Sequence, residues 1–295
     1  MKPKKPEYSK EFKEYHSMLF DFKEFIEWMQ KPLRKSIRVN SIKIDSKRLF
    51  EKLGWGHEKI PWAKDGFWVD IKYGTGATIE HAIGYYYVQE ASSMMPVEAL
   101  NIKNGDMVLD MCAAPGSKTT QIGAINLGGT IIANDSNTGR VKSLISNLGR
   151  MGIANCIVTK NDGQRFRGIK KFKEKFDRVL VDAPCSEVGT ARKNTDSLRV
   201  WTPSYVKRIS ALQKKLICSG FECLKKGGVM VYSTCTTSIE ENEDVVRFLL
   251  DRYENAGTGR INLNARYESA GSGAARVYPW HNDTECAFIA KITKR

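Results

Sequence analysis

A chain of 295 residues, 41% of them hydrophobic, can build one large α/β domain with a smaller companion and fill both cores. No run of about 18 apolar residues occurs and the first ten residues, MKPKKPEYSK, hold no apolar stretch, so neither a membrane-spanning helix nor a secretory signal is expected. A net charge of +14 argues for a polyanionic partner.

Seven cysteines without a short-spaced framework imply reduced thiols in a cytoplasmic protein. The four histidines, at 16, 57, 81 and 281, have no metal-ligand spacing, so no metal site is expected.

Phe12, Tyr15, Leu19, Phe22, Ile26 and Met29 recur at steps of three and four, which predicts one amphipathic helix ended by Pro32. Ser36 to Ile44 reads as a strand, Ser46 to Leu53 as a short helix and Gly66 to Ile71 as another strand. This small β-α-β unit makes residues 1–85 an N-terminal α+β accessory domain, expected to contact the polyanionic partner but carrying no evident chemistry. Trp55, Trp62, Phe67 and Trp68 could stack on bases, but core packing is the preferred reading.

The catalytic domain is assigned to residues 86–295, opening with a helix that ends near Leu100. Gly105 separates it from an apolar run, Met107 to Leu109, that ends at Asp110. Pro115 and Gly116 then make a tight turn, and Lys118, Thr119 and Thr120 open a helix. Strand, glycine turn and helix form the first crossover of a doubly wound, mostly parallel sheet, with a ligand at the strand's carboxyl end. Gly116 lets a ligand approach the backbone, and the new helix turns its free amides toward it. A P-loop is excluded because Ser117 and Cys112 stand where it needs glycines, and G-x-G-x-x-G is missing.

Thr130 to Asp135 is the second strand. Asp135 at its tip is placed to accept both ribose hydroxyls of a nucleoside; the competing reading is a helix N-cap, since Asn137 and Thr138 follow. Val141, Leu144, Ile145, Leu148 and Met151 make the next helix amphipathic, and Arg140 in its first turn is a candidate partner for a ligand carboxylate. Asn155 to Lys160 is the third strand, ending at Asn161-Asp162-Gly163. Phe176 to Val181 is the fourth, and it delivers Asp182-Ala-Pro-Cys-Ser186 to the same rim. A long helix from Pro203 to Lys226 turns Val206, Ile209, Leu212 and Leu216 inward and holds Cys218 and Cys223 as core residues. Gly227-Gly228 is expected to stop it before a fifth strand, Val229 to Ser233, delivers Cys235. Asn255 to Gly273 reads as an irregular loop over the site. Arg276 to Pro279 and Ala287 to Lys291 read as an antiparallel pair at one sheet edge. From Lys160 to Lys215 stand 15 Lys and Arg against 6 Asp and Glu, a basic segment expected to set a positive field beside Asp182.

Three stretches now stand in order: Cys112-Ala-Ala-Pro-Gly-Ser-Lys-Thr119, Asp182-Ala-Pro-Cys-Ser186, and Ser233-Thr-Cys-Thr236 followed by Glu240-Glu-Asn-Glu243. Together they resemble the Nop2/Sun (RsmB-like) family of RNA cytosine-5 methyltransferases, from about Arg38 to the end of the chain. Arg38-Val-Asn40 is similar to an element that precedes the family's catalytic domain, and Tyr87-Val-Gln-Glu-Ala-Ser92 to the stretch that opens it. The resemblance implies a Rossmann-like fold, S-adenosylmethionine as cofactor and RNA as substrate. It implies a cofactor loop of Cys112, Ala113, Ala114, Pro115, Gly116, Ser117 and Lys118, agrees with Asp135 at the ribose, and places Asp162 at the adenine amino group and Asp182 at the third strand tip of the cofactor site. In the family the Cys of Thr-Cys is the nucleophile and that of Pro-Cys assists product release, which implies these roles for Cys235 and Cys185. Asp182, if protonated, would bond the cytosine edge, and Lys118 would steady the same complex. Two positions depart from the family: Cys286-Ala287 replaces the usual Gly before a Phe pair, and Glu187 replaces a Gly or small residue.

The reaction explains why these residue types are needed. Cytosine C5 is too weakly nucleophilic to take a methyl group until a thiolate adds at C6. A cysteine at a strand tip in a basic site is expected to have its pKa lowered from about 8.5. In folded RNA the target base must leave its stack, at a cost of a few kcal/mol that backbone contacts would offset. For so compact a chain, acting as a monomer, tRNA is preferred over rRNA. Two alternatives stay open. A cytosine-5 DNA methyltransferase would take its nucleophile from Pro-Cys, here Cys185. A non-catalytic RNA-binding assembly factor would be marked by loss of a catalytic Cys or a cofactor acid.

Overall fold

The computed structural model describes residues 6–72, 74–271 and 273–295. Strands β1 (Ser36–Val39), β2 (Gly56–Lys59), β3 (Gly66–Asp70) and β4 (Tyr86–Val88) form an antiparallel sheet in the order β2-β3-β1-β4. Ile37, Val39, Phe67 and Val69 point to one face and pack with Trp55 and with Leu49 and Phe50 of helix Ser46–Leu53. Asp45 caps that helix and Gly54, at φ +63, ends it. Trp68, on the opposite face of β3, joins Trp62, Met94 and Met95 in a core shared with the rest of the chain. All four aromatics of this unit are therefore buried packing residues. The first residues assigned to the catalytic domain, Tyr86–Val88, complete the small sheet by pairing with β1.

The second sheet holds β5 (Met107–Asp110), β6 (Thr130–Asn134), β7 (Cys156–Thr159), β8 (Phe176–Asp182), β9 (Leu224–Thr234), β10 (Ala256–Thr258), β11 (Glu268–Ser269), β12 (Ala274–Val277) and β13 (Ala287–Lys294). Its order is β11-β12-β13-β9-β8-β5-β6-β7, with β10 added on β13. Neighbours from β7 to β9 run parallel, and β13 is antiparallel to β9. Alternate residues divide the core. Val108, Ile131, Leu180, Val231 and Ile289 pack with Leu144 and Leu148 on one face. Leu109, Ile132, Val181, Met230 and Phe288 pack with Leu216, Phe221 and Leu249 on the other. Burial on both faces is why these strands read as unbroken apolar runs. Strand order reverses between β5 and β8, so the ligand crevice of this Rossmann-like sheet opens over Asp110 and Asp182. Among the described residues no helix is long and apolar enough to cross a membrane.

Five segments differ from the sequence reading. The single helix over 12–29 is two, Lys10–His16 and Phe22–Met29. Asp21 caps the second by accepting from the Lys23 and Glu24 amides, and the chain bends through exposed Met18. The continuous spacing arose because both short helices lay their apolar sides on one surface, where Phe12, Phe25 and Met29 meet Leu198, Trp201 and Val206. Strand β1 stops at Val39, and the Asn40 side chain turns to donate from Nδ2 to the Gly84 and Met151 carbonyls, both at 2.8 Å. The long helix ends at Cys223; Gly227 and Gly228 bulge β9, whose register jumps from Phe176↔Leu224 to Arg178↔Val229. The loop after Asn255 does not cover the site. Its strand β10 pairs with Ile292–Lys294, the end of β13 remote from Thr234, and Ile261 is drawn into the core. Lastly, the basic segment only partly flanks the site. Lys171, Lys173 and Lys175 precede β8, a strand's length of about 20 Å from its Asp182 tip, and Arg178 is buried 3.3 Å from Asp106.

Candidate active site

Beyond the carboxyl ends of β5, β8 and β9 lies a cavity of about 520 Å³, lined by Cys112, Lys118, Arg140, Asp182, Cys185 and Cys235 among others. Asp135 and Asp162 lie outside this lining, on the side of β6 and β7.

The turn after β5 needs its glycine. Gly116 has φ +106, and a β-carbon there would stand 3.0 Å from Leu144 Cδ1. It gives no side-chain cap, so the opening amides of helix Ser117–Ile125 remain available to an anionic or polar ligand. The turn's carbonyls are held from outside. Asn147 donates to Pro115 O at 2.9 Å, Arg140 to Ala114 O, and Arg38 to Ser117 O at 2.7 Å. Arg38, buried, also donates to Thr120 Oγ1 at 2.7 Å and to Gln89, tying the small sheet to the cofactor turn. In the sequence it was marked by the resemblance of Arg38-Val-Asn40 to a family element and by its place between two inward apolar residues, Ile37 and Val39.

Asp110 at the β5 tip accepts from Thr119 Oγ1 at 2.7 Å, and burial lifts its pKa to about 7. Asp135 is nearly inaccessible. Its Oδ1 accepts from the Asn137 amide at 3.0 Å; its Oδ2 accepts no hydrogen bond and lies 3.3 Å from Arg140 Nη1. The following helix, Thr138–Met151, is capped by Asn137 instead, which disposes of the N-cap reading of Asp135. A fixed buried acceptor lacking a hydrogen-bond donor fits a ribose hydroxyl. Asp162 accepts from the amide and side chain of Gln164 at 3.0 and 3.1 Å, and its carboxylate stays 43% exposed at the rim.

Parallel pairing of β8 with β9 sets Asp182 opposite Ser233, so the residues after each strand meet. Cys185 Sγ and Cys235 Sγ are 3.2 Å apart. Asp182 bonds Lys118 Nζ through Oδ2 and Ser233 Oγ through Oδ1, each at 2.7 Å. Residues 240–243, marked in the sequence only by resemblance, prove to be fasteners. Glu241 is fully buried and accepts from Ser186 N at 2.9 Å, Ser186 Oγ at 2.5 Å and Gln213 Nε2 at 3.0 Å. Asn242 accepts from Thr234 Oγ1 at 2.6 Å and donates to Thr236 O at 3.0 Å. Glu243 pairs with Arg276, and Glu240 accepts from Tyr15 OH at 2.5 Å. Glu241 thus locks the Cys185 loop to the Cys235 loop, Asn242 braces the Cys235 loop itself, and Glu240 and Glu243 tie it to the first helix and to β12.

The expected lowering of the nucleophile's pKa is overturned. The Cys235 thiol is pushed well above its ordinary value by the hydrogen bond with Cys185, by burial, and by the negative charge of Asp182 and Glu187. The Lys118 ammonium also faces this thiol but is outweighed, and much of the basic segment points elsewhere. For Lys118, burial works downward, but Asp182 outweighs it and holds the ammonium above its usual range. Glu187 explains its own departure from the family: it sits at φ +57, ψ +18, a conformation that favours glycine. Cys286 is buried, its amide donates to Gly189 O at 3.1 Å, and with Ala287 it lines the same cavity as Cys185 and Cys235, so this departure reaches the site and not packing alone.

Residues 97–293 match the family described as 16S rRNA methyltransferase RsmB/F, and residues 6–91 match the N-terminal domain of 16S rRNA methyltransferase RsmF. Relatives named ribosomal RNA small subunit methyltransferase F include one from Shewanella oneidensis, 45% identical over 283 residues, covering 92% of this chain and 59% of the relative. Another, from Klebsiella pneumoniae, is 43% identical over 287 residues, covering 92% and 60%. The chain thus spans about 60% of the length of these curated relatives. Among solved structures, a methyltransferase homolog protein from Pyrococcus horikoshii superposes with a TM-score of 0.81 at 34% identity, covering 92% of this chain and 90% of that one. NSun6 from Pyrococcus horikoshii with SFG superposes at 0.86 and 23% identity, covering 97% and 98%, a likeness of fold.

Proposed function

The chain belongs to the 16S rRNA methyltransferase RsmB/F family, and on that premise we propose that it methylates C5 of a cytosine in small-subunit ribosomal RNA, using S-adenosylmethionine. The names of its relatives favour ribosomal RNA over the tRNA expected from the chain's compactness. That size argument fails because the chain matches only part of longer relatives. The observation that carries the reaction is the 3.2 Å approach of Cys185 and Cys235 in a cavity shared with Lys118 and Asp182.

S-adenosylmethionine, when bound, supplies an electrophilic methyl group. The turn from Cys112 to Ser117 would hold it, with Asp135 at the ribose, Asp162 at the adenine and Arg140 at the carboxylate. Cys235 adds to C6 of the cytosine, and the displaced electron pair makes C5 nucleophilic. After methylation a water takes the C5 proton, the freed electron pair forms the C5–C6 double bond and breaks the sulfur–C6 bond, and Cys235 leaves as a thiolate that Cys185, 3.2 Å away, assists by donating a proton. Because the Cys235 pKa is raised, its proton must first pass to solvent, and the small thiolate fraction attacks. Lys118 and Asp182 fix the pyrimidine's polar edge. Residues up to β4 act as an accessory domain that, with Lys193 and Arg199 after the Cys185 loop, contacts the RNA backbone.

Bisulfite mapping of small-subunit rRNA and of tRNA, each incubated with the chain and cofactor, tests this reading. A ribosomal 5-methylcytosine absent with Cys235→Ala is expected. Modification of tRNA alone would reverse the substrate assignment, and no 5-methylcytosine on either would sink the reaction.

A further inference from the structure

Past the Cys235 tip the sheet continues with β13, and the acid just before that strand is Glu285. Register places it, since β13 pairs with β9 as Phe288↔Thr234. Gly189 then bridges the two strand ends, donating its amide to Cys235 O at 2.9 Å and accepting from the Cys286 amide at 3.1 Å. Glu285 lines the cavity that holds both cysteines, on the side of β9 away from β5, β6 and β7.

That side is where the reaction needs a base. The cofactor turn and its acids follow β5, β6 and β7, whereas Cys235 follows β9. A pyrimidine held by Asp182 between them has the methyl donor on one face and the thiol on the other. When the methyl group bonds C5 from the cofactor face, C5 becomes tetrahedral and its hydrogen turns to the opposite face, that of Cys235. A group that receives this proton must stand within hydrogen-bond reach of it, directly or through one water.

Most groups of the wall are otherwise engaged. Asp182 is bonded at both oxygens, by Lys118 and Ser233. Cys185 must keep its proton to give it to the leaving sulfur. Glu90 accepts from the Glu285 amide at 3.2 Å with Oε1, and from Ser92 Oγ and the Ser93 amide at 3.0 Å with Oε2. Glu187 is exposed on the Cys185 loop, where nothing among the described residues holds its carboxylate in place. Glu285 differs from all of these. It is 8% exposed, and its Oε1 is fully buried with no hydrogen-bond partner among the described residues. A buried carboxyl oxygen in that state is costly unless the substrate complex brings the missing donor.

We propose that Glu285 is the positioning residue for release of the C5 proton, holding the water that takes this proton and accepting a proton from it in turn. The assignment rests on the cytosine-5 methylation reading above. The C5–H bond breaks and its proton passes through water to the Glu285 carboxylate. The electron pair left on C5 forms the C5–C6 double bond, and the pair of the broken sulfur–C6 bond stays on Cys235, which Cys185 protonates. Burial and the neighbouring Glu90 push the Glu285 pKa up to about 8, making it a stronger base than an ordinary carboxylate while part of it stays ionised near neutral pH.

The test follows two labels through a single turnover on a small-subunit rRNA fragment. One is methyl from S-adenosylmethionine, counted on RNA whether free or bound to protein; the other is tritium leaving C5 of the target cytosine. Glu285→Gln keeps the side chain's shape but cannot take a proton. It should leave methyl transfer within about twofold and slow tritium release about a hundredfold, so that a methylated adduct accumulates on a denaturing gel. Glu285→Asp, which keeps a carboxylate, should recover part of the release. Equal slowing of both labels would reduce Glu285 to packing and overturn the assignment, as would tritium release at the normal rate. Should Glu285→Gln not fold, Glu285→Asp must still slow release more than methyl transfer, and coincident rates there overturn the assignment equally. A chain that methylates no cytosine removes the reaction and this assignment together; methylation with tritium release unmoved removes the assignment alone.

Discussion

The two sides of the cavity are held together in different ways. On the cofactor side, the side chains of Asp135 and Asn137 make their hydrogen bonds within three residues and Asp162 bonds Gln164 two residues on, while the turn itself is held from afar, by Arg38 across 79 residues. On the base side the partners are far apart in sequence. Cys185 meets Cys235 across 50 residues, Ser186 meets Glu241 across 55, and Tyr15 meets Glu240 across 225. A cofactor can be gripped by independent local turns, each contributing a share of the affinity. Two thiols that must act on one carbon need both loops fixed at once. Substitutions on the base side should therefore fail outright, and those on the cofactor side by degrees.

The largest effect tests that contrast at the cysteines, whose proposed roles lie on opposite sides of a covalent intermediate. Cys235→Ala should be inactive and form no adduct with RNA. Cys185→Ala should still attack and methylate but stall at elimination, accumulating an adduct that survives a denaturing gel and vanishes in the double variant. An adduct with Cys235→Ala instead would reverse the roles, and full turnover in both would make them structural thiols. The pH dependence follows from the same pair. With the Cys235 pKa raised, little thiolate exists near neutrality. The single-turnover rate should rise about tenfold per pH unit and continue past pH 9. A plateau near pH 7 would mean the thiolate is already formed. Glu241→Ala comes next, stranding the Ser186 amide and taking one of two partners from the Ser186 hydroxyl and from the Gln213 side-chain amide. Denaturant unfolding should show a loss of about 1–3 kcal/mol, and displacement of Cys185 should slow turnover about a hundredfold. Turnover at the normal rate in a destabilised Glu241→Ala would separate fold from geometry and weaken the contrast.

What the sequence disclosed follows the same division. Asp110, Asp135 and Asp182 were legible because each ends an apolar run, and a run covered on both faces can hardly be anything but a buried strand. The cysteines were legible through Pro-Cys and Thr-Cys. Their 3.2 Å approach was not, because it depends on the parallel register of β8 and β9, which no local pattern encodes. Arg38 and the four fasteners were visible as letters, but their work is tertiary. The direction of the Cys235 shift was misjudged because charge was counted along the chain, whereas a pKa answers to what stands within a few ångströms.

A smaller, graded effect is expected on the cofactor side. Asp135→Ala removes the buried Oδ2 that awaits a donor, and S-adenosylmethionine binding should weaken by about 1 kcal/mol, near fivefold. Calorimetry reads this directly. Unchanged affinity would take Asp135 out of the site, and complete loss would show that the cofactor side is as cooperative as the base side.

The smallest effect separates strain from charge on the base side. Glu187 occupies the left-handed region at φ +57, which costs a residue with a side chain about 1 kcal/mol. Its carboxylate is exposed and shows no hydrogen bond or ion pair among the described residues, so nothing visible offsets that strain. Glu187→Gly should raise stability by about 0.5 kcal/mol, since glycine relieves the backbone but gives back part of the gain as chain entropy. That corresponds to about 1–2 °C in Tm for a chain of this size. Glu187→Ala is the control, removing the charge while keeping the strain. If both variants speed attack by Cys235 equally and only the glycine is stabilised, the acid acts on the thiol through charge and on the fold through its backbone. If neither gains stability nor speed, the Cys185 loop is held by the Glu241 fasteners alone, and position 187 has no part in the difference between the two sides.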